Sequence, residues 1–390
     1  MILLGFLLLI FVGFIVYDTF VFKDIARIET EDMVVEINNI YIYGTHLNLE
    51  GNYSFTENAE LVLYDGEMLD YKINTDIDTQ KGITNFNLSD LKNDGLYLDN
   101  IPVGNYYLFL RVRDETISQE ENQQEESWKY YSLKNNSNYP ETTYYTMNNY
   151  GKKIVIKSED SYPTMMLNVA KSKNEDVYDI VIDPGHGGRD GGASKDGYKE
   201  TDFTLDIASE IKKQLEEYGF KVKLTHEIGQ LKKNDKLQEY GVHGRAVIPR
   251  EVNAKYLFSI HFNSSNYASV SGLEIYTAKN INYNLAKDLV SNLTSIAGLG
   301  YSNNKVNKMF DSIYSRNFTK AEIEKSIKDY EKDELNAYDI TTNSNYYYMI
   351  RETGGIITGA YVDNRNDEIL GNPYTKSNIG AEAYLLELGY

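Results

Sequence analysis

The chain reads as an α/β domain with a mixed sheet flanked by helices, preceded by an all-β, sandwich-like domain and an N-terminal transmembrane helix. Three observations carry this reading. Ile2 to Phe22 is apolar almost throughout. From about residue 30 to 170, short alternating apolar runs are separated by turn residues. From Tyr178 onward, apolar strand-like runs alternate with amphipathic helical segments. The segments expected are 1–23, 30–170 and 176–390, with a polar boundary at Lys171-Ser172-Lys173-Asn174-Glu175.

The first segment is long enough, at about 20 residues, to span a hydrocarbon core, and Asp18 is its only charge. Tyr17-Asp18-Thr19-Phe20 offers no small-x-small cleavage site, so the expectation is an uncleaved, single-pass anchor. Lys23 and Arg27 follow the span and nothing basic precedes it. Taken literally, the positive-inside rule would keep the bulk of the chain in the cytoplasm. A missing basic leader or a translocated later domain would reverse that.

In the second segment, Val34-Val35-Glu36-Ile37, Ile40-Tyr41-Ile42-Tyr43, Glu60-Leu61-Val62-Leu63-Tyr64 and Tyr106 to Val112 predict strands. Asp65-Gly66, Asn93-Asp94-Gly95 and Pro102-Val103-Gly104 predict the turns between them. The 35 tyrosines of the chain suit half-buried strands. Ser118 to Ser127, rich in Glu and Gln, predicts a solvated loop. No internal repeat is apparent.

In the third segment, strands are expected at Asp179–Asp183, Lys221–Thr225, Tyr256–His261, Gly272–Thr277, Tyr346–Arg351 and Ala383–Leu388. Helices are expected at Thr201–Tyr218, where Leu205, Ala208, Ile211 and Leu215 share a face before Gly219, and at 284–297. Residues 303 to 340 predict a charged helical insertion, clearest over Thr319–Leu335.

Composition narrows the chemistry. With 39 basic against 58 acidic residues, the net charge is −19, and no Lys/Arg cluster stands out in the sequence, which argues against a nucleic-acid partner. There is no cysteine, so any metal site must use His, Asp or Glu. Gly185 to Ala193 holds five glycines in nine residues around His186, a loop that admits a ligand close to the backbone. His261 closes an apolar strand, and Glu200 opens a helix. Two imidazoles and one carboxylate are the protein ligands of a catalytic zinc with an open fourth position. Glu387, a carboxylate inside the apolar run Leu385-Leu386-Glu387-Leu388, needs a partner or a task. Singly, each has a plainer reading: a structural histidine, a helix-start carboxylate favoured by the dipole, an ion-paired glutamate. Spacing alone leaves their convergence open. His46, His226 and His243 lack this setting and read as structural or surface groups.

Ile180 to Gly188, Glu200, Ser259-Ile260-His261-Phe262-Asn263, Gly272 to Tyr276 and Leu386-Glu387-Leu388-Gly389-Tyr390 together resemble the zinc-dependent N-acetylmuramoyl-L-alanine amidases of the type 3 class, over residues 178 to 390. The resemblance implies Zn2+ on His186, Glu200 and His261, with Glu387 as catalytic base and Arg245 and Asn263 as substrate contacts. It implies peptidoglycan as substrate, an extracytoplasmic catalytic domain on the cell membrane, and a protein activator among the partners. The alternatives it leaves are a non-catalytic wall-binding protein of the same fold and a zinc peptidase cutting within the stem peptide. Departures are Thr225-His226 and Pro249-Arg250, where the family usually has Thr-Arg and Ala-Asn, and an end at Tyr390 where the family continues, as a fragment would.

Overall fold

The computed structural model describes residues 28–53, 59–66, 68–72, 74–78, 83–87, 97–114, 127–159, 162–173, 176–232, 235, 244–245, 248–265, 269–278, 283–315, 321, 324, 328 and 378–389. The expected membrane span, the strand at 346–351, most of the helix at 319–335 and nearly all of the loop at 118–127 lie outside them. Among the described residues, no helix is long and apolar enough to cross a membrane.

Among the described residues, eleven strands precede residue 172: β1 (Val35–Tyr43), β2 (His46–Tyr53), β3 (Ala59–Tyr64), β4 (Met68–Lys72), β5 (Asn74–Asp78), β6 (Ile83–Asn87), β7 (Gly104–Arg113), β8 (Trp128–Asn135), β9 (Glu141–Tyr145), β10 (Lys152–Lys157) and β11 (Met166–Lys171). Their alternation is the two-residue period of a sheet with one face in the core. In Lys152-Lys153-Ile154-Val155-Ile156-Lys157, the two isoleucines are buried and the other four residues are partly exposed. Hydrogen bonds link these strands in one path, β5-β6-β2-β1-β8-β7-β11-β10-β9, with β3 on β7 and β4 on β3. β8 changes partner along its length, Trp128–Ser132 pairing with β7 and Leu133–Asn135 with β1, as at a corner between two packed sheets.

That path curls back on itself. β1 and β9 are five steps apart, about 24 Å in a flat sheet at the usual strand spacing. Yet the side-chain amide of Asn378 donates to Ile40 O of β1 at 3.0 Å and to Thr142 Oγ1 of β9 at 2.8 Å. Strand twist and the point where β8 changes partner are invisible in an alternation pattern.

The second sheet begins with β12 (Ile180–Pro184). After the hairpin strands β13 (Ser194–Lys195) and β14 (Tyr198–Lys199) come α1 (Glu200–Glu217), β15 (Val222–Leu224), α2 (Ile248–Glu251), β16 (Tyr256–His261), β17 (Glu274–Thr277) and α3 (Asn284–Ser295). Then follow β18 (Lys308–Phe310), β19 (Ile313–Tyr314), β20 (Ile379–Gly380) and β21 (Glu382–Glu387). The sheet order is β15-β12-β16-β21-β17-β19-β18. β15, β12, β16 and β21 run parallel, and β17 is antiparallel to β21, so the sheet is mixed. The described start of the expected helical insertion is strand instead, because β19 pairs with β17 and buries Ile313 and Tyr314.

Central strands β12 and β21 are buried along their whole length, as strands covered on both faces must be. α1 lays Thr204 and Ala208 into the core, with Ile207, Ile211 and Leu215 beside them. It stops at Gly219, whose φ of 90° lets Phe220 N reach back to Leu215 O at 3.1 Å. Because β12, β16 and β21 are parallel neighbours, their C-terminal ends share one rim. Pro184 pairs with Ile260, and His261 with Glu387.

The two sheets are joined rather than strung in sequence. β20 pairs with β1, and Tyr41 and Tyr43 of β1 enter the core of the second sheet. Tyr43 OH accepts from Ala383 N at 3.2 Å. Lys255, 1% exposed, places its ammonium 4.7 Å above the ring of Tyr144, whose hydroxyl donates to Asp99 at 2.9 Å. Burial pulls that lysine down to about 8, against the pull of Asp99 and Asp179.

Asn378→Ala removes the amide that bridges β1 and β9 and leaves two acceptors dry. The expected cost is about 1–3 kcal/mol, read as a lower urea midpoint at unchanged slope; an unchanged midpoint would show that the curl is held elsewhere.

Candidate active site

Three chain segments meet at the shared rim. His186 follows β12 in a tight turn, closed by Gly187 N to Asp190 O at 2.8 Å and Asp190 N to Gly187 O at 3.0 Å. Its φ of 62° is in the left-handed region, which a histidine seldom occupies and which is often held at functional sites. His186 Nδ1 donates to Asp190 Oδ2 at 2.9 Å, and Nε2 lies 3.0 Å from Glu200 Oε2. Glu200 Oε1 is 3.2 Å from His261 Nδ1. Backbone amides hold this carboxylate in place, Phe262 N at 2.8 Å and Ala193 N at 2.9 Å. His186, Glu200 and His261 thus offer three ligand atoms within 4.8 Å of one another.

The glycines explain themselves here. A Cβ on Gly185 would stand 2.6 Å from the His261 ring, and one on Gly192, at φ 65°, 2.5 Å from His186 Cδ2 and 2.7 Å from Glu200 Oε2. Only bare backbone fits against the triad.

The electrostatics favour a cation. Burial works against charge on His186, yet the Asp190 and Glu200 carboxylates lift it to about 9. Burial likewise works against the Glu200 charge, but the two imidazoles and two amides hold it well below the usual carboxylate range. His261 is pushed down by its own burial. The nitrogen–oxygen separations of 3.0 and 3.2 Å are near the edge of a zinc tetrahedron with bonds of 2.0–2.1 Å, about 3.3 Å. The donor set fits a divalent metal, and Asp190 supplies the outer carboxylate that fixes a histidine ligand.

Glu387 ends β21 beside His261, with Leu388 N bonded to His261 O at 2.9 Å. It is 2% exposed, and its Oε2 has no hydrogen-bond partner among the described residues. Burial first, then the charges of Glu200 and Glu274, push its carboxyl up to about 8. Glu274, its neighbour on β17, is the opposite case. That carboxylate accepts from Asn263 Nδ2 at 3.0 Å, Tyr276 OH at 2.7 Å and Ser302 Oγ at 2.7 Å.

Arg245 and Asn263 are placed near the rim, but their side chains are engaged by protein. Arg245 Nε donates to Asp183 Oδ1 at 2.8 Å, and its Nη2 to the carbonyls of Pro184 and His186. Asp183 also accepts from Thr225 Oγ1 and Ser259 Oγ, each at 2.7 Å. Despite its burial, these partners hold the Asp183 carboxyl below its usual range. His226 is buried beside this network and kept neutral, at about 4, by burial and the Arg245 charge. Asn263 supports Glu274. From sequence, Asp183, Asp190 and Glu274 carried no role. Asp183 and Glu274 show the signal that singled out Glu387, a carboxylate inside an apolar strand. Beyond the triad, Phe262, Phe203 and Tyr198 form an aromatic row with ring centroids 6.2 and 5.9 Å apart.

A family model described as N-acetylmuramoyl-L-alanine amidase matches residues 180–385. The match takes in more than half of the chain, and the chain belongs to that family. It is 35% identical over 118 residues to the "Probable cell wall amidase LytH" of Staphylococcus epidermidis, covering 29% of this chain and 35% of the relative. To the N-acetylmuramoyl-L-alanine amidase AmiC of Neisseria meningitidis it is 33% identical over 132 residues, covering 32% of this chain and 30% of the relative. The chain thus spans about a third of the length of these curated relatives. The solved structure of the amidase AmiC2 of Nostoc punctiforme aligns with 56% of this chain and 82% of its own, at 22% identity and a TM-score of 0.28.

Asp190→Ala leaves His186 without the carboxylate that fixes its ring. The expected loss is about 10–100-fold in zinc affinity, measured by competition with a chromogenic chelator, at unchanged far-ultraviolet dichroism. Equal affinity would remove Asp190 from the site.

Proposed function

We propose that this member of the N-acetylmuramoyl-L-alanine amidase family hydrolyses the amide between the lactyl group of N-acetylmuramic acid and L-alanine in peptidoglycan. The observation that carries the reading is Glu387: a buried carboxyl, one oxygen unpartnered among the described residues, registered beside a His-Glu-His triad.

We assign zinc to His186, Glu200 and His261. When bound there, the metal supplies Lewis-acid polarisation of a carbonyl and lowers the pKa of a bound water to about 7. The chain's own residues do the rest. Asp190 accepts a hydrogen bond from Nδ1–H of His186, so that Nε2 faces Glu200. Ala193 N and Phe262 N fix the Glu200 carboxylate, so the triad is preorganised. Glu387 accepts a proton from the attacking water and delivers it to the leaving nitrogen of L-alanine. A carboxyl lifted towards 8 by burial suits a group that must both take and return a proton near neutral pH. The engagement of Arg245 with Asp183 and of Asn263 with Glu274 supports a positioning role for both, ahead of direct substrate contact. The apolar stretch Ile2–Phe22 is read as a membrane anchor, and the substrate puts the catalytic domain outside the cell membrane.

The full chain, incubated with zinc and peptidoglycan, is expected to release free stem peptides beginning with L-alanine, and chelation to stop it. Fragments cut within the stem would identify a peptidase instead. Bound zinc without any release would point to a wall-binding protein or to the need for a protein activator. Glu387→Gln keeps shape and removes the proton acceptor. It is expected to lower kcat by about 10²–10⁴-fold with zinc stoichiometry intact; a wild-type rate would sink the role of Glu387.

A further inference from the structure

We propose that a cleft at the junction of the two sheets, lined by none of the triad residues, binds a segment of anionic glycan, that is, sugar units carrying carboxylate or phosphate groups. The cleft has a volume of about 590 Å3, the size range of small-molecule sites. It is walled by the end of β9 and the turn into β10, by the end of β11 and by the residue before β15, so both sheets contribute.

Its lining is unlike the rest of the chain. Across the chain, acids outnumber bases 58 to 39. The cleft is lined by Lys152, Lys171, Lys173 and Lys221, and no carboxylate is among its described lining residues. Lys152 is committed to structure, its ammonium donating to Asp99 O at 2.8 Å and Ile101 O at 2.6 Å. Lys171, Lys173 and Lys221 form no ion pair among the described residues, and Lys221 stands 4.5 Å over the Tyr178 ring. Asp179, two residues past the lining residue Val177, accepts from Asn148 N at 2.7 Å and Lys221 N at 2.7 Å, one on each oxygen, and Asp176 adjoins Val177 on its other side. A concave wall of one sign focuses its field and concentrates counter-charge. Here that field opposes the net charge of the molecule, so the cleft draws an anion that the molecule as a whole repels.

Two tyrosines set the shape of the ligand. Tyr145 and Tyr150 share the lining, and Tyr150 is 43% exposed where most tyrosines of this sheet are buried. An amphipathic ring beside ammonium groups suits a sugar face bearing a negative substituent better than a bare ion. The site does not depend on the amidase reading, because an anionic glycan with no amide left to cut is a ligand and not a substrate.

The test uses the full chain in detergent and three soluble probes: peptide-free glycan oligosaccharides with one lactyl carboxylate per disaccharide, the same oligosaccharides methyl-esterified, and poly(glycerol phosphate). Binding of an anionic probe, weakened by salt, with none to the ester, is expected, and which anionic probe is held identifies the source. The triple variant Lys171→Ala/Lys173→Ala/Lys221→Ala is expected to bind about tenfold more weakly, as loss of two exposed charges and one half-buried charge implies. The matching triple Arg variant, which keeps the charge, should bind as wild type. Equal binding of acid and ester, no binding of either anionic probe, or an unaffected Ala variant would overturn the proposal.

Discussion

Asp183 is the buried charge on which the arrangement of the rim depends. Its carboxylate ends β12 and ties three other pieces of chain to that strand: Thr225 after β15, Ser259 in β16 and Arg245 before α2. Arg245 in turn clasps the carbonyls of Pro184 and His186, so one ion pair fixes both strand spacing and the start of the histidine loop. A buried charge is costly to desolvate, and removing one partner of such a pair typically costs about 3–5 kcal/mol. What this network secures is position: His186 held at a left-handed φ, with its ring turned towards Glu200.

From that anchor the site follows by register. Parallel pairing of β12, β16 and β21 brings three strand ends together, and each delivers one element of chemistry: a histidine loop, His261, Glu387. The antiparallel β17 then adds Glu274 on the far side. Glu274 and Glu387 are buried neighbours with opposite treatment. One has its oxygens filled by Asn263, Tyr276 and Ser302; the other is left with an orphan oxygen and a raised proton affinity. The difference separates a carboxylate that supports the sheet from one whose proton affinity is raised by burial and neighbouring charge.

The curled sheet is welded to this core rather than tethered to it. The chain crosses back through β20 into the first sheet before entering β21, so the strand that ends in Glu387 is registered against both. Lys255, Tyr144 and Asp99 add a buried polar seam. Placement of the catalytic-side strand is therefore coupled to the integrity of the first sheet, although no residue of that sheet enters the triad.

Much of this was legible in the residues. Alternation and helical periodicity placed β12, α1, β16 and β21 within a residue or two, because their apolar patterns are long and bounded by glycine or charge. His186, Glu200, His261 and Glu387 stood out as polar groups where apolar ones were due, or as the single side chain in a bare loop. The sequence by itself determined which groups are available and that they sit at element ends. Tertiary structure alone decided that they converge, that Asp183, Asp190 and Glu274 support them, and that Arg245 and Asn263 face inward. It also decided how β1 to β11 join through β8 and that lysines scattered over some 70 positions line one cleft. The physical reason is the same throughout: strand order, register and twist are set by contacts between residues far apart in the chain, and no local pattern encodes them.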